Sequence, residues 1–375
     1  MKILLATLVT GLGLSGLWMA GSEAVPQKAA AKKATAEAAP TKPGESLKDL
    51  QQVKEILSDT YVVNQKYRSM KGPYSQKAVH LGDAGVPELL WITGYRAVMV
   101  GADGATPKPQ EFMCHSNLDI DPGRHNSLFK SRIGISGRLF TLSQGQFDID
   151  LPAGFGIPIL STEPLKLTTQ VLNLNHDKIS ERIRHKVEVV YVRDRDLKEP
   201  IRPLFASAAY GLASLEGEAL TFGRQEEEDH GASCLVAANA AVHEYKDPLG
   251  RRFTGHWVVK PGREVNRTLV TDLMNLPFDT TVHYIAVHLH PFAETLELRD
   301  LTTDTTVFKS KVRPVAEGIG IDHVEYFSSE EGLPLYKSHD YEMVSVYNNT
   351  SAEEQDSMAV MYMYLLDKEF TKPLG

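Results

Sequence analysis

The chain has 375 residues, 42% of them hydrophobic, with 40 basic against 48 acidic side chains and a formal net charge of −8. That apolar fraction excludes global disorder and collagen-like structure, and the mild acidity offers no basic footprint for nucleic acid or an anionic membrane surface. Two cysteines are too few for a disulfide scaffold, a zinc ribbon or an iron–sulfur cluster, which leaves the chemistry to 13 histidines, 10 methionines and the carboxylates.

Met1 and Lys2 are followed by an apolar run over residues 3–19 and by small residues ending in Ser22-Glu23-Ala24. A short positive start, an apolar core and small residues before the cut describe a signal peptide over 1–24. The alternative is a single membrane anchor, since the run is nearly long enough to span. The glycines and the cleavage-like end favour removal, so the mature protein is expected to be exported, periplasmic or secreted, with no membrane association. In an oxidising compartment Cys114 and Cys234 could form a disulfide; two buried free thiols are the alternative.

Residues 25–45 (VPQKAAAKKATAEAAPTKPGE) are low-complexity Ala/Lys/Pro and read as a flexible linker. SLKDLQQVKEILS, residues 46–58, has Leu47, Leu50, Val53 and Leu57 at helical spacing behind Ser46 as a cap. Thereafter short runs rich in Val, Ile, Leu, Thr and Tyr recur between turn signals, from LLWITGYRAVMV through EFMCHSNLDI and KVEVVYV to TVHYIAVHLH and SMAVMYMYLL. Asp247-Pro248-Leu249-Gly250 and Thr302-Thr303-Asp304 read as hairpin turns. The expected fold is all-β. It comprises two tandem antiparallel, jelly-roll-like β-sandwich domains, 46–215 with its leading helix and 216–375, with the break in pattern falling within 195–232.

The sharpest local feature is His288-Leu289-His290 inside a strand-like segment. Residues two apart on a strand share a face, so both imidazoles project together, and imidazole suits zinc, copper, iron and nickel. Paired strand histidines are also common as ordinary polar surface. His283 has the opposite parity. Further on, Met358, Val360 and Tyr362 share one face of an apolar strand, with Met361 and Met363 on the other; such methionines commonly serve as adaptable core filler. A thioether beside two imidazoles would make a soft site favouring copper, especially Cu(I).

From about residue 253 to 366 the chain resembles the C-terminal domain of the copper type II, ascorbate-dependent monooxygenases, the group of peptidylglycine α-hydroxylating monooxygenase and dopamine β-monooxygenase. The matching pieces are VHLHPFAETLELRD and DSMAVMYMYLLD, in the family's order and rough separation. The resemblance implies that His288, His290 and Met358 bind an oxygen-activating copper and that Tyr362 contacts substrate. Ala286 and Val360 stand where the peptide hydroxylase has polar substrate-binding residues, which argues against a peptidylglycine substrate. In the N-terminal half QEFMCHSNLDI sits where the family has a histidine pair for the electron-transfer copper, with only His115 kept, behind Cys114. Asn173 falls at that site's third-ligand position, and His176 lies beyond it. Cys114 and His115 have opposite strand parity, so both could meet one ion only across a bend.

His125, His176, His185, His230 and His243 read as surface or hydrogen-bonded structural histidines. His256-Trp257 reads as a strand end, and Glu226-Glu227-Glu228-Asp229 as a solvated loop. No G-x-S-x-G elbow, P-loop, dinucleotide fingerprint or H-E-x-x-H motif occurs. The expected function is that of an exported copper protein. As a monooxygenase it would hydroxylate a small organic substrate with O₂ and ascorbate or another reductant. A non-catalytic copper-binding or copper-handling protein is the second reading, and a β-sandwich binding module with incidental histidines the third.

Overall fold

The computed structural model describes residues 47–215, 221–223, 235–236 and 244–373. The predicted signal peptide and linker, Cys234, His230, His243 and the Glu226–Asp229 run lie outside the described residues.

The all-β expectation is borne out. A ten-stranded sheet carries its main path in the order Gln52–Leu57, Glu181–Arg193, Leu89–Gly101, Phe155–Leu160, Arg202–Tyr210, Ala359–Leu366, Thr280–Leu289, Phe327–Leu335. One side of it is covered by a four-stranded sheet, Tyr74–Val79, Leu165–Val171, Met113–Asp119 and Arg138–Leu142. Part of the other side is covered by a five-stranded sheet that includes Gly262–Leu269, Tyr341–Asn349 and Ala293–Asp300. Strands from both halves of the sequence thus join in one sheet. Arg202–Tyr210 makes the join, pairing in parallel with Phe155–Leu160 at Arg202↔Phe155 and antiparallel with Ala359–Leu366 from Leu204↔Leu366 to Tyr210↔Val360.

Thr280–Leu289 and Ala359–Leu366 are buried on both faces. Tyr284, Ala286, Val360, Tyr362 and Tyr364 enter the core under the four-stranded sheet, whereas Ile285, Val287, Leu289, Ala359, Met361 and Met363 enter the core under the five-stranded sheet. A strand packed on both sides has no polar face to alternate, which explains the near-continuous apolar runs in the sequence. Both predicted hairpins form. Asp247 Oδ1 accepts from the Leu249 and Arg251 amides, with Gly250 at φ +80°, and Asp304 takes φ +53° ahead of the Thr305–Pro314 strand.

The leading helix is a correction. Only Leu47–Leu50 is helical, as one 3₁₀ turn, and Gln52–Leu57 is a strand paired with Glu181–Arg193 from Gln52↔Tyr191 to Leu57↔Lys186. Period-3.6 spacing over so short a stretch is a weak constraint, and the open edge of the large sheet offers Val53 and Ile56 a ladder that suits β-branched residues.

A turn at residues 143–146 docks the four-stranded sheet onto the C-terminal half. The Val324 amide donates to the Gly145 carbonyl at 3.1 Å, and the Ile321 amide donates to Gln144 Oε1 at 3.1 Å. Gly145 has φ +86°, and a Cβ there would lie 2.5 Å from Ile321 Cγ2. Gly145→Ala is therefore expected to destabilise the fold by more than about 1 kcal/mol, read as a lower urea midpoint with unchanged slope.

Candidate metal centre

The pairing of Thr280–Leu289 with Ala359–Leu366 builds the site. Register sets Tyr284 opposite Tyr364, Ala286 opposite Tyr362 and His288 opposite Val360, ending at Leu289↔Ala359. Met358 and His290 therefore face one another just past the ends of the two strands. Both imidazoles are buried, His288 at 8% exposure and His290 at 6%, with ring centroids 5.4 Å apart and planes near perpendicular. Met358 is half-buried.

Each ring is held at Nδ1. His290 Nδ1 donates to the Asp356 carbonyl at 3.1 Å, which leaves the Nε2 lone pair outward, 3.4 Å from the Ser69 hydroxyl. His288 Nδ1 lies 3.0 Å from the Ser143 hydroxyl. The carbonyl partner fixes the tautomer of His290, and both contacts fix ring orientation, as for metal-ligating histidines generally. Tyr347 ties the two strand ends together: its hydroxyl accepts from the His290 amide at 3.3 Å and donates to the Met358 carbonyl at 2.5 Å. Burial, followed by the neighbouring imidazoles and Arg138, holds the His288 pKa well below its ordinary value; burial also lowers that of His290. Both rings are therefore neutral and available as ligands at neutral pH.

The pair opens onto a pocket of about 440 Å³ bordered by Met358, Tyr362, Tyr210, Arg138, His115 and His256. Tyr362 is 4% exposed and borders the pocket. His283, the extra residue of a bulge between Val282 and Tyr284, lies outside the pocket and packs on Phe155 with ring centroids at 4.1 Å. His115 lies across the pocket on Met113–Asp119, 7% exposed, its pKa pushed down to about 3 by burial, then Arg138 and other imidazoles. The bend that would let Cys114 and His115 look the same way is present. The register against Leu165–Val171 shifts between Met113 and His115, so Cys114 is the extra residue of a bulge and both side chains border the pocket. Cys114 is a buried free thiol whose pKa burial raises.

Asn173 and His176 do not join this group. Asn173 is 2% exposed and committed, Nδ2 donating to the Gln65 and His176 carbonyls and Oδ1 accepting the His176 amide. His176 pairs with Glu111 at 3.0 Å and His125 with Glu163 at 3.0 Å, both structural partnerships of the expected kind. His185 departs from expectation: it is fully buried, and neither ring nitrogen has a hydrogen-bond partner. The sequence reading missed His256, 3% exposed, with its ring 6.4 Å from that of His290. No spacing signal joins a residue 34 positions from His290 to the H-x-H pair; only the pairing of Trp257–Val259 with Gln355–Ser357 brings it there.

Among the described residues no three His, Cys, Asp or Glu side chains gather closely enough to hold a metal ion. A third protein donor to a metal at His288 and His290 would thus come from another residue type bordering the pocket, of which the Met358 thioether is one. Among the described residues, no helix is long and apolar enough to cross a membrane.

No family model matches the chain, and no curated protein matches it. Among solved structures it is similar to the CUB1-EGF-CUB2 domain of human MASP-1/3, at 9% identity and TM-score 0.17 over 83% of this chain and 99% of that one. It is also similar to a chain of the Sputnik virophage, at 11% identity and TM-score 0.21 over 92% and 91%. Likenesses at this level carry no argument about function.

Proposed function

We propose that this chain is an exported copper protein of the copper type II, ascorbate-dependent monooxygenase kind. In this reading His288, His290 and Met358 hold one copper, and the adjoining pocket takes a small organic substrate. The observation supporting it is the convergence of two neutral, Nδ1-anchored imidazoles and one thioether at a single pocket. Bound there, copper would supply one-electron chemistry with O₂ and an external reductant, the three protein donors leaving coordination positions open.

The chain's own residues do the rest. Ser143 and the Asp356 carbonyl orient the rings, and Tyr347 keeps the two strand ends in register. Tyr362 and Tyr210 wall the pocket, while Arg138, paired with Asp119 and bonded to Thr141, places a fixed positive charge beside it. Ala286 and Val360 are packed in the core at 1% and 0% exposure, which is consistent with a substrate other than a peptide.

A copper-handling protein is the second reading, favoured by the committed Asn173 and the lone His115 on the opposite sheet. Copper stoichiometry and O₂ uptake with ascorbate, measured on the mature protein, separate the two. One copper per chain with copper-dependent uptake supports the enzyme, and one copper without uptake supports handling. No bound copper overturns both and leaves a β-sandwich binding module.

Two variants sharpen the reading. Met358→Ile should weaken Cu(I) retention about tenfold or more while affecting Cu(II) less, because the lost donor is the soft one. Tyr347→Phe leaves the His290 amide and the Met358 carbonyl without their shared partner. It should cost about 1–3 kcal/mol of stability in urea titration and loosen copper as well.

A further inference from the structure

Residues 68–71 form a tight turn that brings the N-terminal half of the chain up to the histidine pair. The Lys71 amide donates to the Arg68 carbonyl at 3.1 Å, with Ser69 and Met70 at the two central positions. Met70 takes φ +61°, a left-handed conformation that such turns usually reserve for Gly or Asn at this position. The turn is pinned at both ends. Tyr67 and Asn173 exchange backbone hydrogen bonds at 2.9 and 3.1 Å, and an added Cβ on Gly72 would meet the Val171 carbonyl oxygen at 1.9 Å. Gln170 Nε2 also donates to the Gly72 carbonyl at 2.8 Å. A left-handed residue other than glycine persists only where its surroundings impose it, and these anchors do so.

The turn delivers the Ser69 side chain to the rim of the histidine pocket. Its hydroxyl oxygen lies 3.4 Å from His290 Nε2 and 3.9 Å from Cys114 Sγ. Chemistry fixes the direction of the first contact. A carbonyl can only accept, so neutral His290 carries its proton on Nδ1, toward Asp356, and Nε2 offers a lone pair. The hydroxyl therefore donates to Nε2, and its oxygen is left to accept from the Cys114 thiol. With Nδ1 occupied, Nε2 is also the nitrogen through which His290 would bind a metal. An imidazole–metal bond is about 2.0–2.1 Å long, well inside the 3.4 Å now spanned to Ser69. An ion on that lone pair takes the place of the Ser69 proton.

We infer that Ser69 gates metal loading: in the metal-free chain its hydroxyl caps the His290 lone pair, and it must let go before the site closes round an ion. This rests on the copper reading of the site. The cap keeps the buried lone pair satisfied and the ring aligned while the site is empty. It also lowers affinity, because a hydrogen bond made only without metal is lost on binding. Asn173 takes part at a distance, since its backbone bridge to Tyr67 anchors the turn.

The test compares the mature wild-type chain with Ser69→Ala and Ser69→Thr. Cu(I) buffered by bathocuproine disulfonate is the probe, and the nitrogen-15 resonances of the His290 ring are followed in the metal-free proteins. Ser69→Ala should bind Cu(I) about two- to tenfold more tightly, the equivalent of one ordinary hydrogen bond. Its Nε2 resonance should move toward that of a free lone pair. Ser69→Thr restores the hydroxyl and should match wild type in both readouts. A purely structural Ser69 would give the opposite sign, with weaker copper binding and a lower urea midpoint in Ser69→Ala. Wild-type copper binding with unchanged or weaker binding in Ser69→Ala overturns the gate alone, as does an unmoved Nε2 resonance. A wild-type chain that takes up no Cu(I) overturns the copper reading itself, and the gate with it.

Discussion

Under the proposed copper assignment, replacing His288 by alanine should abolish stoichiometric copper binding, while His115→Ala should leave one copper in place. His288 is one of two imidazoles on a stiff, doubly buried strand, and its loss leaves His290 and a thioether, a donor pair too sparse to retain the ion. Removing mere outer partners of a ligating histidine costs about 10–100-fold in affinity, so losing the ligand itself should cost more than about 100-fold. His115 stands on the facing sheet, across the pocket from the pair, so its removal should change the Cu(II) spectrum little. Metal content and paramagnetic resonance of the two variants check this. Copper lost from both would mean that the pocket holds an ion shared across the sheets.

The second large effect concerns acid stability. His185 lies on Glu181–Arg193, fully buried, edge-on to Tyr61 at 5.9 Å, with neither nitrogen hydrogen-bonded. Burial pushes its pKa down from 6.5 to about 3. The folded state therefore stays neutral where the unfolded state takes up a proton. Stability is fully present above pH 6.5 and is lost as pH falls toward 3, at up to about 1.4 kcal/mol per pH unit. His185→Phe keeps a ring against Tyr61 and removes that linkage. It should flatten the pH dependence by roughly 3 kcal/mol between pH 6.5 and 4, and it also spares an unpaired buried N–H. Urea titrations at a series of pH values measure the difference. Parallel stability profiles for the two proteins would refute the assignment, since the other buried histidines are common to both.

Much of the site was legible because it is local. The parity rule that put His288 and His290 on one face, and Met358 with Tyr362 on another strand, needs only a two-residue repeat, and strand geometry honours it. The hairpins at Asp247–Gly250 and Thr302–Asp304 were equally legible, since their side chains and φ values are set within four residues. The leading segment was misread for the complementary reason. A six-residue stretch with mixed spacing takes whichever structure its neighbours offer, and here the neighbour is an open sheet edge.

Sequence alone thus determined the all-β class, the turn positions and which residues of each strand share a face, because these follow from steric rules acting over a few bonds. Tertiary structure alone decided that both halves share one sheet through Arg202–Tyr210, and that Met358 and His290 border one pocket past the end of a strand pair. It alone brought His256 and Arg138 to the same pocket. Those facts depend on register and on packing between segments tens to hundreds of residues apart. Such long-range pairings are selected by the burial of whole faces, a quantity that no local window of sequence contains.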